Sequence, residues 1–219
     1  MLEETPAGPV FNPWFEHDKE HDLQPDAPRR RWENLSAYLR SRRGQVRLLM
    51  VGEALGYQGG HFSGLAMTSE RILLGHHRKK GIDPLELDLD LPTERTSRPE
   101  VKAMGFSEPT ATIVWGAVQD CGLKGRDFVL WNAFPWHPYD PEAGLLSNRR
   151  PTVSELEEGR PAFEELRRLF PEAKVGAVGR VAERQLEDIG VPHVALRHPA
   201  HGGAPKFRAG LKELSEDLT

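Results

Sequence analysis

The chain has 219 residues, of which 38% are hydrophobic and 28% are charged, a composition typical of one globular domain. Its formal net charge of −4 excludes binding of nucleic acid through overall positive charge, so such a site would have to gather basic residues locally. The single cysteine, Cys121, excludes an intramolecular disulfide and a metal centre built from several cysteines. No apolar run could span a membrane and the N-terminus lacks the apolar core of a secretory signal, so we expect a cytoplasmic protein.

The first part of the chain predicts an arm followed by a helix and a strand. Residues 1–28 are rich in Pro, Asp and His and show no periodicity, which indicates an irregular N-terminal arm before a single domain over residues 29–219. Apolar residues at helical spacing predict a helix over residues 30–42. Residues 46–51 are apolar enough for a strand that is buried on both faces. A second helix is predicted over residues 63–74.

The second part of the chain alternates strands with helices. Between Pro84 and Pro92, leucines alternate with acidic residues, which predicts an edge strand or an extended loop. The elements predicted after it are a helix over 109–120, a strand over 128–131, a helix from Thr152 or Ser154 to about Phe170, a strand over 174–178, a helix over 180–189, a strand over 191–196 and a helix over 204–218. Ser154 and Glu157 fit a capping box at the start of the longest of these helices.

This alternation predicts the α/β class, with a central, mostly parallel four-stranded sheet between two layers of helices in a three-layer α/β/α sandwich. Polar side chains follow three of the strands, at Glu53, Asn132 and His198. Open α/β sheets bind ligands in a crevice at the carboxyl ends of their strands. The sequence therefore predicts a ligand site at this edge of the sheet.

Five short segments occur in the same order as the motifs of one family. They are Gly52-Glu53-Ala54-Leu55-Gly56, Phe62-Ser63-Gly64, Trp131-Asn132-Ala133, Val178-Gly179-Arg180-Val181-Ala182 and His198-Pro199-Ala200. Together they resemble the uracil-DNA glycosylase superfamily over about residues 46–214. The first segment is most similar to the Gly-Glu-Ala-Pro-Gly motif of the iron–sulfur branch, although the four cluster cysteines of that branch are missing. The resemblance thus implies no cofactor and no metal.

The resemblance implies a DNA glycosylase of base excision repair, which hydrolyses the N-glycosidic bond of uracil or a related deaminated base. Such an enzyme flips the base into a pocket and reads its pairing edge. By analogy with the family, Phe62 would stack on the base and Asn132 would read its edge. His198 would stabilise the departing base, and Glu53 would orient water or counter the sugar cation. The backbone of Ala54 would also touch the base.

Further residues have weaker analogies. Tyr57 would exclude the methyl group of thymine or would only pack at the rim, and His201, Lys206 and Arg208 would contact DNA. Ala54 stands where the best-known branch has the Asp that positions water, although the iron–sulfur branch also has Ala there. Glu70 is a reserve carboxylate, for which a solvated helix position is the favoured interpretation.

Structural interpretations compete with these roles, and so does a second function. Phe62 could be core packing, Asn132 a turn residue at a strand end, Glu53 a salt-bridge partner and His198 a loop cap. Because the loop after His198 lacks the leucine wedge of the best-known branch, single-stranded or mispaired DNA is the expected substrate and partner. The alternative function is a catalytically weak or inactive DNA-binding paralogue of the same fold. We expect a monomer.

Overall fold

The structure, a computed structural model, describes residues 1–89 and 92–218. Its α-helices are α1 (Ala27–Ser41), α2 (Gly60–Ser63), α3 (Glu70–Leu73), α4 (Pro109–Asp120), α5 (Val153–Leu169), α6 (Arg180–Asp188) and α7 (Ala204–Glu216). Its strands are β1 (Val10–Phe11), β2 (Leu48–Ala54), β3 (Phe128–Phe134), β4 (His137–Pro138), β5 (Lys174–Val178) and β6 (Val194–Leu196). Within the described ranges, no helix is both long and apolar enough to cross a membrane.

The central sheet has four parallel strands in the order β3-β2-β5-β6. Leu48 to Val51 of β2 have no exposed surface, because β2 lies between two strands and both of its faces are covered. Helices α5 and α6 pack on β3 and β2, while α7 contacts β6 and α4. The predicted three-layer α/β/α sandwich with a parallel four-stranded sheet is confirmed.

Strands β2 and β3 continue beyond their predicted ends. Strand β2 reaches Ala54 and β3 reaches Phe134, so Glu53, Ala54 and Asn132 lie in strands and not in the loops after them. In this register Gly52 is opposite Asn132. A Cβ added at Gly52 would lie 2.7 Å from the side-chain amide of Asn132, so a larger residue there would displace that amide.

The predicted helix over residues 63–74 is wrong, since the chain forms two short helices there. Helix α2 ends at Gly64, which has φ +74° and whose added Cβ would lie 2.5 Å from the Arg31 carbonyl oxygen. Glycine at this position therefore terminates α2 and lets α1 pack closely. Helix α3 begins after an irregular turn that contains Met67 at φ 44°.

The leucine-rich segment also differs from its prediction. Residues Pro84–Leu87 form a 3₁₀ helix, in which the Asp83 carboxylate accepts a hydrogen bond from the Leu85 N–H at 3.0 Å. The alternation of leucine and acidic residues thus does not reflect strand pairing at these four positions. The remainder of the predicted edge strand includes Asp90 and Leu91, which lie outside the described residues.

Helix α5 begins with a capping box two residues before the predicted pair. The Thr152 hydroxyl accepts from the Glu155 N–H at 3.3 Å, and the Glu155 carboxylate accepts from the Thr152 N–H at 2.7 Å. Thr152 was one of the two predicted caps, whereas the pairing of Ser154 with Glu157 is wrong. The cap fixes the start of α5 next to Arg150.

Residues before α1 pack tightly on the rest of the protein. Strand β1 pairs with β4, and the buried Trp14 donates its Nε1–H to the Gly64 carbonyl at 3.0 Å. Arg31 of α1 holds Asp22 through two hydrogen bonds of 2.6 and 3.0 Å, and neither side chain is exposed. The division between an arm and a domain at residue 28 stays a prediction.

Candidate active site

A cavity of about 770 Å³ opens at the carboxyl ends of β2, β5 and β6. Glu53 reaches it from β2, Gly179 and Arg180 from the turn after β5, and His198 from the loop after β6. The sequence predicted a ligand crevice at this edge of the sheet. Two of the predicted polar side chains, those of Glu53 and His198, line the same space.

Glu53 has a half-buried carboxyl group that makes no hydrogen bond or ion pair with any other described residue. Burial raises its pKa above the ordinary 4.5, and the positive charge of Arg150 opposes that rise. A carboxyl group of this kind binds protons more readily than a solvated one. Glu53 is therefore suited to accept a proton inside the cavity.

The imidazole of His198 is held in one tautomer. Its Nδ1 accepts a hydrogen bond from the Ala200 N–H at 3.1 Å, so the proton of the neutral ring lies on Nε2. Burial lowers the pKa of His198 below 6.5, and the charges of Arg197 and His201 lower it further. At neutral pH His198 is thus a neutral side chain with Nε2–H free to donate.

Glycine at position 179 makes room for this imidazole. Gly179 has φ +89°, and a Cβ added to it would lie 3.1 Å from the Cβ of His198. The turn from β5 into α6 therefore passes directly against the loop that carries His198. Because residue 179 has no side chain, the start of α6 and the loop that carries His198 can meet at one site.

Four arginines also line the cavity, namely Arg150, Arg180, Arg184 and Arg197. Their guanidinium groups form no ion pair or hydrogen bond within the described part of the chain. None of the four was predicted from the sequence to belong to the site. The spacing of Arg180 and Arg184, one helical turn apart directly after a strand, was the signal that could have found them.

Asn132 does not line this cavity. It is 1% exposed and borders a separate gap of about 10 Å³, together with Leu55 and Trp131. In the orientation that satisfies its amide, Nδ2 donates to the Trp131 carbonyl at 3.1 Å and Oδ1 accepts from the Leu55 N–H at 3.3 Å. The gap has room for about one water molecule, so a base could reach this amide only if neighbouring side chains moved. The role of Asn132 in reading a base stays a prediction.

Phe62 and Tyr57 belong to an aromatic cluster. The Phe62 ring is fully buried and stacks on Phe106 with centroids 4.2 Å apart, while Tyr57 meets Phe106 edge-on at 6.3 Å. Phe106 therefore covers one face of the ring that was predicted to stack on the base. The Tyr57 N–H donates to Asn148 Oδ1 at 3.0 Å, which anchors the loop after β2. The roles predicted for these two aromatic residues are not tested by their positions.

The other predicted residues lie at different distances from the reaction space. His201 lines the cavity with a left-handed backbone at φ 52°, and Ala54 ends β2 beside Glu53. Lys206 is exposed in the first turn of α7, and Arg208 forms an ion pair with Asp120. Of the three predicted DNA contacts, only His201 borders the cavity.

Glu70 is not the solvated helix residue that its position in the sequence indicated. It is fully buried, and its carboxylate accepts hydrogen bonds from the N–H groups of Thr96 and Ser97 at 2.7 and 2.8 Å. These bonds attach the loop at residues 96–97 to α3. A carboxylate with such partners supports the fold and is not available to a ligand.

Comparison with known proteins identifies the family. A family model described as the uracil DNA glycosylase superfamily matches residues 41–218. The chain belongs to the uracil-DNA glycosylase superfamily. The crystal structure of wild-type SMUG2 from Pedobacter heparinus is similar to it, with a TM-score of 0.57 and 15% identity, over 98% of this chain and 92% of that one. None of the curated proteins that were compared matches the chain.

Membership of the uracil-DNA glycosylase superfamily confirms the resemblance drawn from the five sequence segments. At 15% identity, the likeness to SMUG2 shows a common fold. The fold and the family together support a DNA glycosylase as the class of this protein.

Proposed function

We propose that the protein is a DNA glycosylase that hydrolyses the N-glycosidic bond of uracil, or of a related deaminated base, in DNA. The observation that carries this proposal is the arrangement of His198. Its neutral imidazole is fixed as an Nε2–H donor by the Ala200 amide, and it shares a cavity with the Glu53 carboxyl group. This pairing of a neutral donor and an acceptor suits cleavage of a bond whose leaving group becomes an anion.

The role proposed for His198 is to donate a hydrogen bond to the base as it leaves. When the bond between the base nitrogen and the sugar C1′ breaks, its electron pair goes to the base, and negative charge develops on the base carbonyl oxygen. A hydrogen bond from His198 Nε2–H to that oxygen stabilises the charge as it forms. One preorganised donor of this kind contributes about 100- to 1000-fold in rate.

The role proposed for Glu53 is to accept a proton from the attacking water. As water adds its oxygen to C1′, one of its protons must leave, and Glu53 is the carboxylate that lines the cavity next to His198 and Arg150. The proton can then pass to the departed base, which restores the Glu53 carboxylate. The negative charge of the ionised Glu53 carboxylate would also stabilise the sugar cation before the water attacks.

We assign recognition of the base to Asn132 in β3, the strand next to β2. The side-chain amide of Asn132 can accept from N3–H of uracil and donate to O4, whereas cytosine presents the opposite pattern. Leu55 and the aromatic contact between Phe62 and Phe106 must shift for a base to enter, because the gap beside Asn132 is only about 10 Å³. In this proposal Tyr57 guards the entrance to the base pocket.

The proposed substrate is single-stranded or mispaired DNA, and the proposed process is base excision repair. The cost of extruding a nucleotide is lowest where the base is unpaired or mispaired. The local positive charge around the cavity supplies the attraction for DNA that the net charge of −4 does not.

A second candidate function is a DNA-binding paralogue without catalysis. It is favoured by the closed gap at Asn132, which in this structure does not admit a nucleobase, and by Ala54, which cannot position water. Such a protein would bind DNA through the same cavity. It would leave the glycosidic bond intact.

An excision assay separates the two candidates. Oligonucleotides with one uracil, in single-stranded and mispaired form, are incubated with the wild type and with His198→Ala and Asn132→Asp. The glycosylase predicts excision by the wild type and a loss of about 100-fold or more in the His198 variant. Asn132→Asp should lose discrimination of uracil from cytosine. Binding without excision by the wild type would identify the paralogue.

A further inference from the structure

Three buried hydrogen bonds in succession join separate segments of the protein. The His61 ring contacts the Asp18 carboxylate through Nε2 at 3.1 Å and the His137 ring through Nδ1 at 3.0 Å. His137 in turn places its Nε2 2.8 Å from the Ser147 carbonyl oxygen. The side chains of Asp18, His61 and His137 belong to residues that are at most 1% exposed. This histidine network (Asp18, His61, His137 and Ser147) takes no part in the excision chemistry proposed above.

The two ends of the histidine network are both hydrogen-bond acceptors. The Ser147 carbonyl oxygen carries no proton. Burial raises the pKa of Asp18, but the hydrogen bonds from His61 and His21 lower it well below its ordinary value, so its carboxylate is ionised. Each of the three contacts needs one proton, whereas two neutral imidazoles supply only two. With neutral rings, one contact would consist of two lone pairs that face each other.

The buried charges around the network lead to the same proton count. Asp22 accepts hydrogen bonds from Arg31 on both of its oxygens, at 2.6 and 3.0 Å, which leaves no acceptor for a carboxyl proton. Asp18 and Asp22 thus bring two buried negative charges, and Arg31 brings one positive charge. A buried charge without compensation destabilises a fold. One extra proton on the rings of His61 and His137 supplies the missing positive charge.

Titratable and charged groups face the two rings from several elements. Among the described residues they are Asp18 and His21 of the N-terminal segment, Arg31 of α1 and Arg149 of the loop before α5. His21 contacts Asp18 at 2.8 Å, and its neutral ring already has the one proton that this contact needs. The extra proton therefore belongs to the pair of rings.

Opposing effects act on that proton. Burial disfavours a charge on either ring, as do the charges of Arg31 and Arg149, whereas the hydrogen bonds to Asp18 and Ser147 favour it. The three formed contacts decide between these effects, because loss of the proton would break one of them inside the protein. The two rings titrate as one unit, since they are joined directly. The pKa of this unit accordingly lies above the ordinary 6.5 of histidine.

We propose that His61 and His137 share one extra proton, and that the buried cation so formed is a latch that holds the N-terminal segment on α2 and on the loop before α5. Phe11 of β1 stacks on the His61 ring with centroids 4.2 Å apart, which shields the cation from water. The latch forms at neutral pH and is released when alkaline pH removes the proton. This inference goes beyond the proposed function and needs no substrate.

The latch lies next to residues of the candidate active site. His61 directly precedes Phe62 in α2. Ser147 directly precedes Asn148, whose Oδ1 accepts a hydrogen bond from the Tyr57 N–H at 3.0 Å. His61 and His137 are therefore positioning residues for α2 and for the loop after β2.

Nitrogen-15 NMR of the histidine-labelled wild type at pH 7 counts the protons directly. The proposal predicts that none of the four ring nitrogens of His61 and His137 has the chemical shift of an unprotonated nitrogen, because the two Nδ1 atoms share one proton. His61→Gln and His137→Gln identify the signals. If neither variant folds, contacts to the Phe11 ring identify those of His61. Two unprotonated nitrogens in the pair would overturn the proposal.

Urea denaturation between pH 7 and 9 gives an independent readout of opposite sign for the two protonation states. Between the ordinary pKa of histidine and that of the pair, the folded protein holds one proton more than the unfolded chain, so the wild type loses stability as pH rises. Its unfolding equilibrium constant should increase by up to about tenfold per pH unit relative to that of His137→Gln.

His21→Gln is the matched control, because His21 also contacts Asp18 but lies outside the shared pair. It should keep the pH dependence of the wild type. Two neutral buried rings predict the reverse, a contribution to stability that is lost as pH falls below about 6.5. A wild type that gains stability with rising pH relative to His137→Gln would overturn the latch. Neither measurement involves DNA, so this inference and the glycosylase can fail separately.

Discussion

Two polar regions of this molecule differ in how their charges are matched. The region under α1 contains Asp18, Asp22, Arg31 and His61, all buried and all hydrogen-bonded to one another or to the backbone. The cavity at the sheet edge holds arginines and a carboxyl group that have no ion-pair or hydrogen-bond partner in the part of the chain that the structure describes. Matched charges hold the N-terminal segment on the domain, and unmatched ones remain available for a ligand. The difference indicates which polar residues serve stability and which serve function.

The largest expected effect follows from breaking the matched region. Arg31→Met leaves the Asp22 carboxylate buried without its partner, and such a loss costs about 3–5 kcal/mol. Urea denaturation should show this decrease in the free energy of unfolding. Arg160→Gln is the control, because its partner Glu164 is exposed and the pair contributes less than about 1 kcal/mol. Equal free energies of unfolding for the two variants would show that the buried ion pairs under α1 do not stabilise the fold more than an exposed pair does.

A substitution in the cavity should lower the rate of excision and leave the stability of the fold almost unchanged. His198→Ala removes the donor to the leaving base, and we expect kcat to fall about 100- to 1000-fold. Within the described residues, the side chain makes one hydrogen bond, in which its Nδ1 accepts from the Ala200 N–H, so thermal unfolding should be little changed. A variant that unfolds at a much lower temperature would show that His198 serves mainly as a loop cap.

A smaller loss of stability is expected at the contact between the N-terminal segment and α2. Trp14→Phe removes the hydrogen bond to the Gly64 carbonyl, and a buried carbonyl without a donor costs about 1–3 kcal/mol. Phe15→Leu is the control, since Phe15 is 44% exposed. Denaturation of both variants measures the effect, and a larger loss in the Phe15 variant would contradict the packing described for this segment.

The smallest effect concerns pH. Arg150 opposes the rise in the pKa of Glu53 that burial causes, so Arg150→Gln should raise that pKa further. Excision requires ionised Glu53, and the rate falls as pH falls through its pKa. The acid limb of kcat should therefore move to higher pH, by less than about one pH unit for a solvent-screened charge. An acid limb that moves to lower pH would show that Glu53 is not the group that titrates.

The sheet could be predicted from the sequence because its strands are short apolar runs followed by turn residues. Residues 46–51 and 128–131 were too apolar for a solvated face, which indicated a parallel sheet covered on both sides. The break near Gly64 could not be predicted, since it depends on a contact made after folding. The α1 carbonyl that faces Gly64 belongs to Arg31, more than thirty positions earlier in the chain.

The site was predictable in part for a related reason. Glu53 and His198 each follow a strand, and parallel strands bring such positions to one edge. Asn132 also lies near a strand end, but its amide is taken up by the backbone at Leu55, a tertiary contact that no local pattern indicates. The arginines of the cavity come from segments that meet only in the folded protein, so no local pattern indicated that they share one site.

A crystal structure with a single-stranded oligonucleotide that contains 2′-fluoro-2′-deoxyuridine, in which the fluorine destabilises the sugar cation and prevents cleavage, tests the central claim most directly. If His198 and Glu53 form the reaction centre, the extruded uracil will lie with its O2 about 2.7–3.1 Å from His198 Nε2 and its pairing edge against Asn132. The sugar C1′ will face the Glu53 carboxylate. A uracil that remains in the strand, or that lies in a pocket remote from His198, would contradict the proposed active site.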